Sequence, residues 1–313
     1  MTNPLVAVAE PFFSIIVPTY RRPEQLTTCL EALARLDYPS DRFEVIVVDD
    51  GSATPPEAVV ARFRVALNVT LLTPSHAGPG GARNIGAAQS RGQFLAFTDD
   101  DCVPAPNWLR ALAARFATAP ERAIGGRVLN PLLDNPYSST SQAILELVYA
   151  YYNADPDQAR FFASNNLALP TLQFRALDGF DATFATSEDR DLCDRWLSHG
   201  YLMTFAPEAL IYHAHPLTFR TFWRQHFNYG RGAFRFHQTR ARRGSGPFRP
   251  ELGFYLSLLR RLRSHGGGRR SLLLAAMLVV WQMANAAGFV WEAMNNHSGT
   301  RSGHPGRTRK VPR

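Results

Sequence analysis

The sequence predicts an α/β protein: a mostly parallel central sheet flanked by helices, followed by a basic helical C-terminal extension. Three observations carry that reading. Apolar runs of strand length alternate with helix-length segments through the first half. Two of those runs, "VVDDGS" and "FTDDDC", end on clustered carboxylates, as strands of an open parallel sheet do when polar groups gather at their carboxyl ends. Charge is also split along the chain. Residues 1–209 hold 16 Lys+Arg against 24 Asp+Glu, whereas residues 210–313 hold 18 against 2.

Taken in order, "FSIIVP" (13–18) reads as a buried strand, and Pro23 opens a helix carrying Leu26, Leu30, Leu33 and Leu36. "FEVIVVDDGS" (43–52) is a second strand ending in acids, Gly and Ser. A helix from about Pro56, a strand at "VTLLTP" (69–74) and a turn-plus-helix at "GGARNIGAAQSRG" follow. "FLAFTDDD" is the fourth strand. "GGRVLNP" and "FFASNNLALP" read as further strands. "SEDRDLCDRWLSHG" (187–200) reads as a helix, with Ser187 as its cap and Glu188 and Asp189 in a first turn where the helix dipole favours anions.

From Thr218 the character changes. Phe219, Phe222, Trp223, Phe227 and Phe234 recur at helical spacing with Arg220, Arg224, Arg231 and Arg235 interleaved. Residues 240–250 resemble a linker, "FYLSLLRRLR" is short, amphipathic and basic, and residues 271–291 carry no charge. That last segment is long enough to span a bilayer. Gln282, Asn285 and Glu292 nevertheless set a polar stripe on it, and Arg flanks it on both sides, so a surface-lying helix pair fits better than a span. A helix packed on the α/β domain is the competing expectation. The expected division is that α/β domain over 1–215, a basic aromatic helical region over 216–300 and a basic tail over 301–313.

Bulk composition narrows the classes. With 45% hydrophobic and 19% charged residues, the chain is globular rather than disordered. Cys29, Cys102 and Cys193 are scattered, which argues against a disulfide framework or a zinc site and for a reduced, cytoplasmic setting. The N-terminus lacks the basic start and apolar run of a signal peptide. The Arg-rich third lacks a recognition helix, RNP motif or zinc knuckle, so nucleic acid is not an expected partner.

The chemistry lies at the strand ends. Ligands of open α/β sheets bind outside the carboxyl ends of the strands, so Pro18, Thr19, Tyr20, Asp49, Asp50, Asp99, Asp100 and Asp101 fall on one rim. Asp and Gly also favour turns, which explains either acid cluster alone but not the convergence of both. Carboxylates placed there suit a divalent cation that bridges protein to a diphosphate.

The stretches "IIVPTYRRPEQL", "VIVVDDGS", "GGARNIGA", "FTDDDCVPAPNWL" and "EDRDLCDRWLSHG" occur in the order and spacing of family 2 glycosyltransferases, which have the GT-A fold; the resemblance covers about residues 12–230. It implies a metal-dependent, inverting transferase that uses a nucleotide sugar, with uracil the expected base. By position, Pro18, Tyr20 and Asp50 match the family's base pocket. Gly81 and Arg83 lie in the segment beside the donor, and Asp99 and Asp100 match its ribose or neighbouring positions. Asp101 matches the residue on Mn2+ or Mg2+, and His213 a histidine that joins the metal in some members. Asp189 matches the general base, with Glu188 in support. Asn165 and Asn166 are acceptor-side candidates. The implied acceptor is a glycan or lipid-linked sugar of the cell envelope, met at the cytoplasmic face of a membrane. A catalytically inert, membrane-docking sugar-nucleotide binder is the alternative, disfavoured by the intact Asp101 and Asp189. A nucleotidyltransferase would need a Gly-rich loop where this chain has "PTYRRPEQ".

Overall fold

The computed structural model describes residues 10–244, 253–254 and 269–299. Its elements are β1 (Phe13–Thr19), α1 (Pro23–Leu33), β2 (Phe43–Asp49), α2 (Glu57–Ala61), β3 (Val69–Leu72), α3 (Gly78–Gln89), β4 (Phe94–Phe97), β5 (Cys102–Pro104) and α4 (Trp108–Thr118). The chain continues through β6 (Ala123–Leu129), α5 (Pro136–Tyr152), β7 (Leu167–Pro170), α6 (Thr171–Ala176), α7 (Glu188–Ser198), β8 (Met203–His213), α8 (Phe219–Arg242) and α9 (Arg269–Gly299).

Eight strands form one sheet in the order β3-β2-β1-β4-β7-β6-β8-β5. The first four are mutually parallel, as the alternation of strand and helix requires. The second half departs from that pattern, since β7 runs antiparallel to both β4 and β6, and β5 antiparallel to β8, while β6 and β8 are parallel. The sheet is therefore mixed, with its parallel part at the end that carries the first two acid motifs.

Period-two alternation sends side chains to opposite faces. Phe13, Ile15, Val17, Val45, Val47 and Ala96 pack with Leu26, Leu30, Leu33, Trp108 and Leu112 on one side. Ile16, Ile46, Val48, Leu95 and Phe97 pack with Ala82, Phe174, Leu192 and Trp196 on the other. Both faces are covered by helices, which is why these strands read as near-continuous apolar runs.

The C-terminal helices are bound to this body. Arg243, just past α8, places its guanidinium 2.6 Å from the fully buried Asp191 of α7. Helices α8 and α9 run side by side, since contacts pair Phe234 with Phe289, Gly230 with Asn285 and Arg235 with Glu292. A Cβ at Gly230 or Gly288 would collide with the backbone of the facing helix, so the pair crosses at a distance only glycine permits. Glu292, expected on a polar stripe, accepts from Arg231 (2.7 Å) and Arg235 (2.6 Å) of α8. Helix α9 is long and apolar enough over Leu272–Asn295 to cross a membrane. A spanning α9, however, would draw its arginine-rich neighbour α8 into the bilayer at several kcal/mol per charge. Its outer face leaves Leu272, Val279, Met283, Val290, Trp291 and Met294 at least half exposed. The expected linker, residues 240–250, starts inside α8, which continues through Arg242; residues 245–250, nearly all of "FYLSLLRRLR" and the tail 301–313 lie outside the described residues.

Candidate active site

Strand β4 ends at Phe97, so Asp99, Asp100 and Asp101 occupy the tight turn into β5 and not the strand itself. Each carboxylate has its own set of partners, with Arg22 shared by Asp100 and Asp101. Asp99 accepts from Arg83 at 2.6 Å. Asp100, 3% exposed, accepts from Thr19 Oγ1 at 2.7 Å and from Arg22 at 3.2 Å, and burial pushes its carboxyl up to about 6. Asp101 meets Arg22 at 3.1 Å, His213 Nε2 at 3.2 Å and His215 Nδ1 at 3.6 Å. Burial alone would raise the Asp101 carboxyl, but hydrogen bonds from both histidines and the Arg22 charge hold it well below the usual range.

The arrangement of His213 follows from strand pairing. The antiparallel β5–β8 register sets Cys102 opposite His213, and Ala214 donates its N–H to the Asp101 carbonyl at 3.0 Å. Asp101, Cys102 and His213 can each bring one ligand atom within 4.8 Å of the others. Burial drives the Cys102 thiol far up and keeps it protonated, leaving a carboxylate and imidazoles as donors. An oxygen–nitrogen set of this kind fits a divalent cation such as Mn2+ that completes its shell with phosphate oxygens.

The β1 and β2 ends form a second corner. Asp49 is consumed by its own turn, accepting from the Ser52 hydroxyl and from Ser52 N–H. Asp50 accepts from Ala77 N–H at 2.6 Å and lies 2.8 Å from His76 Nδ1. Tyr20, 38% exposed, faces the His76 ring at 5.2 Å between centroids. Pro18 lies in β1 two residues before it. A flat, aromatic-walled notch with a carboxylate at its base suits a planar heterocycle carrying an N–H donor.

A third corner comes from α3 and α7. Arg83, 4% exposed, donates Nη1 to Glu188 at 2.9 Å and Nη2 to Asp99 at 2.6 Å, so one guanidinium joins the turn after β4 to the start of α7. Its Nε is buried without a partner among the described residues. Asp189 accepts from Arg190 N–H at 2.7 Å and from Ser164 N–H. Burial, reinforced by the Glu188 charge, pushes the Asp189 carboxyl up to about 7. Such a carboxylate takes and returns a proton near neutral pH.

Several expectations change. Ser187 is no side-chain cap: its hydroxyl makes no capping bond, and its backbone sits at φ 71°, a left-handed conformation unusual for a residue with a Cβ. Gly81 packs against protein, where a Cβ would stand 2.7 Å from that of Ala77, so its missing side chain is used up inside the fold. Residues 164–166 form a 3-10 turn ahead of β7 rather than part of a strand. Asn166 is 1% exposed and fully used: it accepts from Trp108 Nε1 and donates to the carbonyls of Arg127 and Ala209, each at 2.9 Å. It cannot meet an acceptor and is a structural residue. Asn165 stays beside the site with its buried Oδ1 unpartnered among the described residues, one residue after the Ser164 N–H that Asp189 accepts. Thr19, placed on the rim from the sequence, holds Asp100, whereas Arg22 and His76 were not singled out. Arg22 lies two residues after Tyr20 in "PTYRRP", which was the available signal.

The likenesses to known proteins agree with this geometry. The chain matches Glycosyl transferase family 2 over residues 14–171 and Glycosyl transferase family group 2 over residues 94–296. It is 35% identical over 120 residues to glycosyltransferase AglE of Haloferax volcanii, covering 38% of this chain and 40% of that protein. It is 28% identical over 227 residues to the pre-mycofactocin glycosyltransferase of Mycobacterium tuberculosis, covering 70% and 46%. The matches thus span less than half the length of either relative. Among solved structures, a mannosyltransferase from Pyrobaculum calidifontis in complex with GDP-Man and Mn2+ superposes with a TM-score of 0.66 at 19% identity, covering 94% of this chain and 89% of that one. The S. aureus TarS 1–349 complex with UDP-GlcNAc superposes at 0.52 with 17% identity, covering 92% of each chain. These structures share the GT-A fold. With both family matches spanning half of the sequence or more, and their residues converging on one rim of the sheet, the chain belongs to glycosyl transferase family 2.

Proposed function

We propose that the chain is a metal-dependent, inverting glycosyltransferase that moves a sugar from a nucleoside diphosphate, UDP in the first instance, to an acceptor hydroxyl in glycan or glycolipid synthesis. The observation that carries this reading is the Arg83 bridge, which puts the metal-side turn and the Glu188–Asp189 pair one guanidinium apart on a common crevice. Complexes of structural neighbours with GDP-Man and UDP-GlcNAc support a nucleotide-sugar donor.

In this reading Tyr20, His76 and Asp50 hold the base. Asp99, whose side chain is 28% exposed, faces the ribose, while the buried Asp100 pins the turn through Thr19. Asp101 and His213 would hold the cation, with His215 beside them; when bound it neutralises charge on the departing diphosphate. Arg22, nearly half exposed, is free to turn from Asp100 and Asp101 toward that phosphate. Asp189 takes the proton from the acceptor hydroxyl as its oxygen bonds to the anomeric carbon and the carbon–phosphate-oxygen bond breaks. A single displacement inverts that carbon. Glu188 stays paired with Arg83 and raises the basicity of Asp189. The outer stripe of α9, beside arginine-rich α8, docks the enzyme on an anionic membrane surface on the cytoplasmic side, close to a lipid-linked acceptor.

A thermal-shift panel of UDP- and GDP-sugars, with and without Mn2+, tests the donor side. We expect a Mn2+-dependent rise in Tm with UDP-sugars that Asp101→Asn abolishes. A shift with GDP-sugars alone would overturn the uracil assignment, and no shift with either class would overturn the reading.

A further inference from the structure

The acceptor must reach Asp189, and α8 is anchored on the residues just ahead of it. The Thr186 hydroxyl donates to the Asn228 carbonyl of α8 at 3.0 Å. One turn later Gly232 packs so closely on Thr186 and Ser187 that a Cβ would overlap both hydroxyl oxygens. Tyr229 lies between these two anchors, 45% exposed. Its hydroxyl end is enclosed: burial, together with the charges of Asp189, Glu188 and Asp99, pushes the phenol upward. Gln225 donates to that hydroxyl at 3.3 Å, and its carbonyl oxygen faces His215 Nε2 at 3.0 Å. His226 packs edge-on against the Tyr229 ring at 5.6 Å between centroids. The ring is thus held at its hydroxyl and on one flank while much of its surface stays open beside the base.

We propose that Tyr229 is the platform of an acceptor subsite that takes a pyranose ring, with Gln225 at its polar edge. This rests on the glycosyltransferase reading and adds the acceptor class. Three features favour a sugar over the alternatives. An aromatic face matches the C–H face of a pyranose, and the adjoining Gln225 and Asp189 match its hydroxyls, which an acyl chain would leave unpaired. The nucleobase notch at Tyr20 and His76 is a separate corner of the rim. Anchoring of α8 on residues 186 and 187 also fixes the platform relative to Asp189, as an oriented attack requires.

The test is saturation-transfer difference NMR on the full chain with UDP and Mn2+. The probes are methyl pyranosides of glucose, mannose, galactose and N-acetylglucosamine. At least one should show transfer to its ring protons. Tyr229→Ala should weaken that binding about tenfold and Tyr229→Phe less than about twofold, because the ring face and not the hydroxyl makes the contact. The UDP–Mn2+ thermal shift in the same samples reports on folding and on the donor reading. A missing shift in the wild type sinks the glycosyltransferase reading. A normal shift with no pyranoside signal, an unchanged affinity in Tyr229→Ala, or equal losses in the two variants overturns the subsite alone.

Discussion

Replacing Asp189 by Asn should abolish transfer and stabilise the protein, by an amount that depends on pH. The Asp189 carboxyl is pushed from 3.8 to about 7, chiefly by burial. The folded state therefore holds this proton more tightly than the unfolded chain. The contribution of the group to stability is fully present below pH 3.8 and is lost as the pH rises through about 7. At 1.36 kcal/mol per unit, the group costs the folded protein about 4 kcal/mol at pH 8, where it is charged, and about 2 kcal/mol at pH 5, where it has taken up a proton that the unfolded chain has mostly lost. Asparagine has no charge to hold and keeps an oxygen to accept from Arg190 and Ser164, so the variant should recover those amounts. Urea unfolding at both pH values reads the difference, and transfer assays at pH 8 read the activity. An equal advantage at the two pH values, or none at pH 8, refutes the assigned ionisation. Retained transfer refutes the base role. In the wild type, kcat/KM should fall about tenfold per pH unit below 7 and level off above it.

Arg83→Gln should cost about 3–5 kcal/mol in denaturant unfolding, since it leaves Glu188 and Asp99 without their shared cation; a loss below about 1 kcal/mol would show that the bridge is unimportant. Asn166→Ala should cost about 2–4 kcal/mol by orphaning Trp108 Nε1 and two carbonyls, with donor and acceptor KM unchanged in the folded fraction; an acceptor KM change would restore Asn166 to the acceptor site. Val279→Glu combined with Met283→Glu alters only exposed positions, so Tm should hold while co-flotation with anionic vesicles falls at least about tenfold; unchanged flotation would rule out docking through α9.

Legibility in the sequence followed the range of the interaction. Strands β1 to β4 could be read because both their faces are buried, which leaves an apolar run that ends abruptly in acids or turn residues. The aromatic periodicity of α8 was equally plain. The direction of β7 was not, because strand polarity depends on where the chain turns, and the 3-10 turn at 164–166 was hidden inside an apolar context. Ser187 looked like a cap by residue type, yet its position is set by the close approach of Gly232 in α8.

By itself, then, the sequence determined that acids stand at strand ends, that an acid pair opens α7, and that a basic aromatic helix follows. Those are local matters of periodicity and residue type. Only the tertiary structure decided which groups meet. It set His213 beside Asp101 through a three-residue strand too short to announce itself, joined Asp99 to Glu188 through Arg83, and docked α8 on Thr186 and Ser187 at the start of α7. Contacts between residues far apart in the chain arise from sheet register and helix docking, which depend on the packing of the whole core and leave no periodic mark on any one segment.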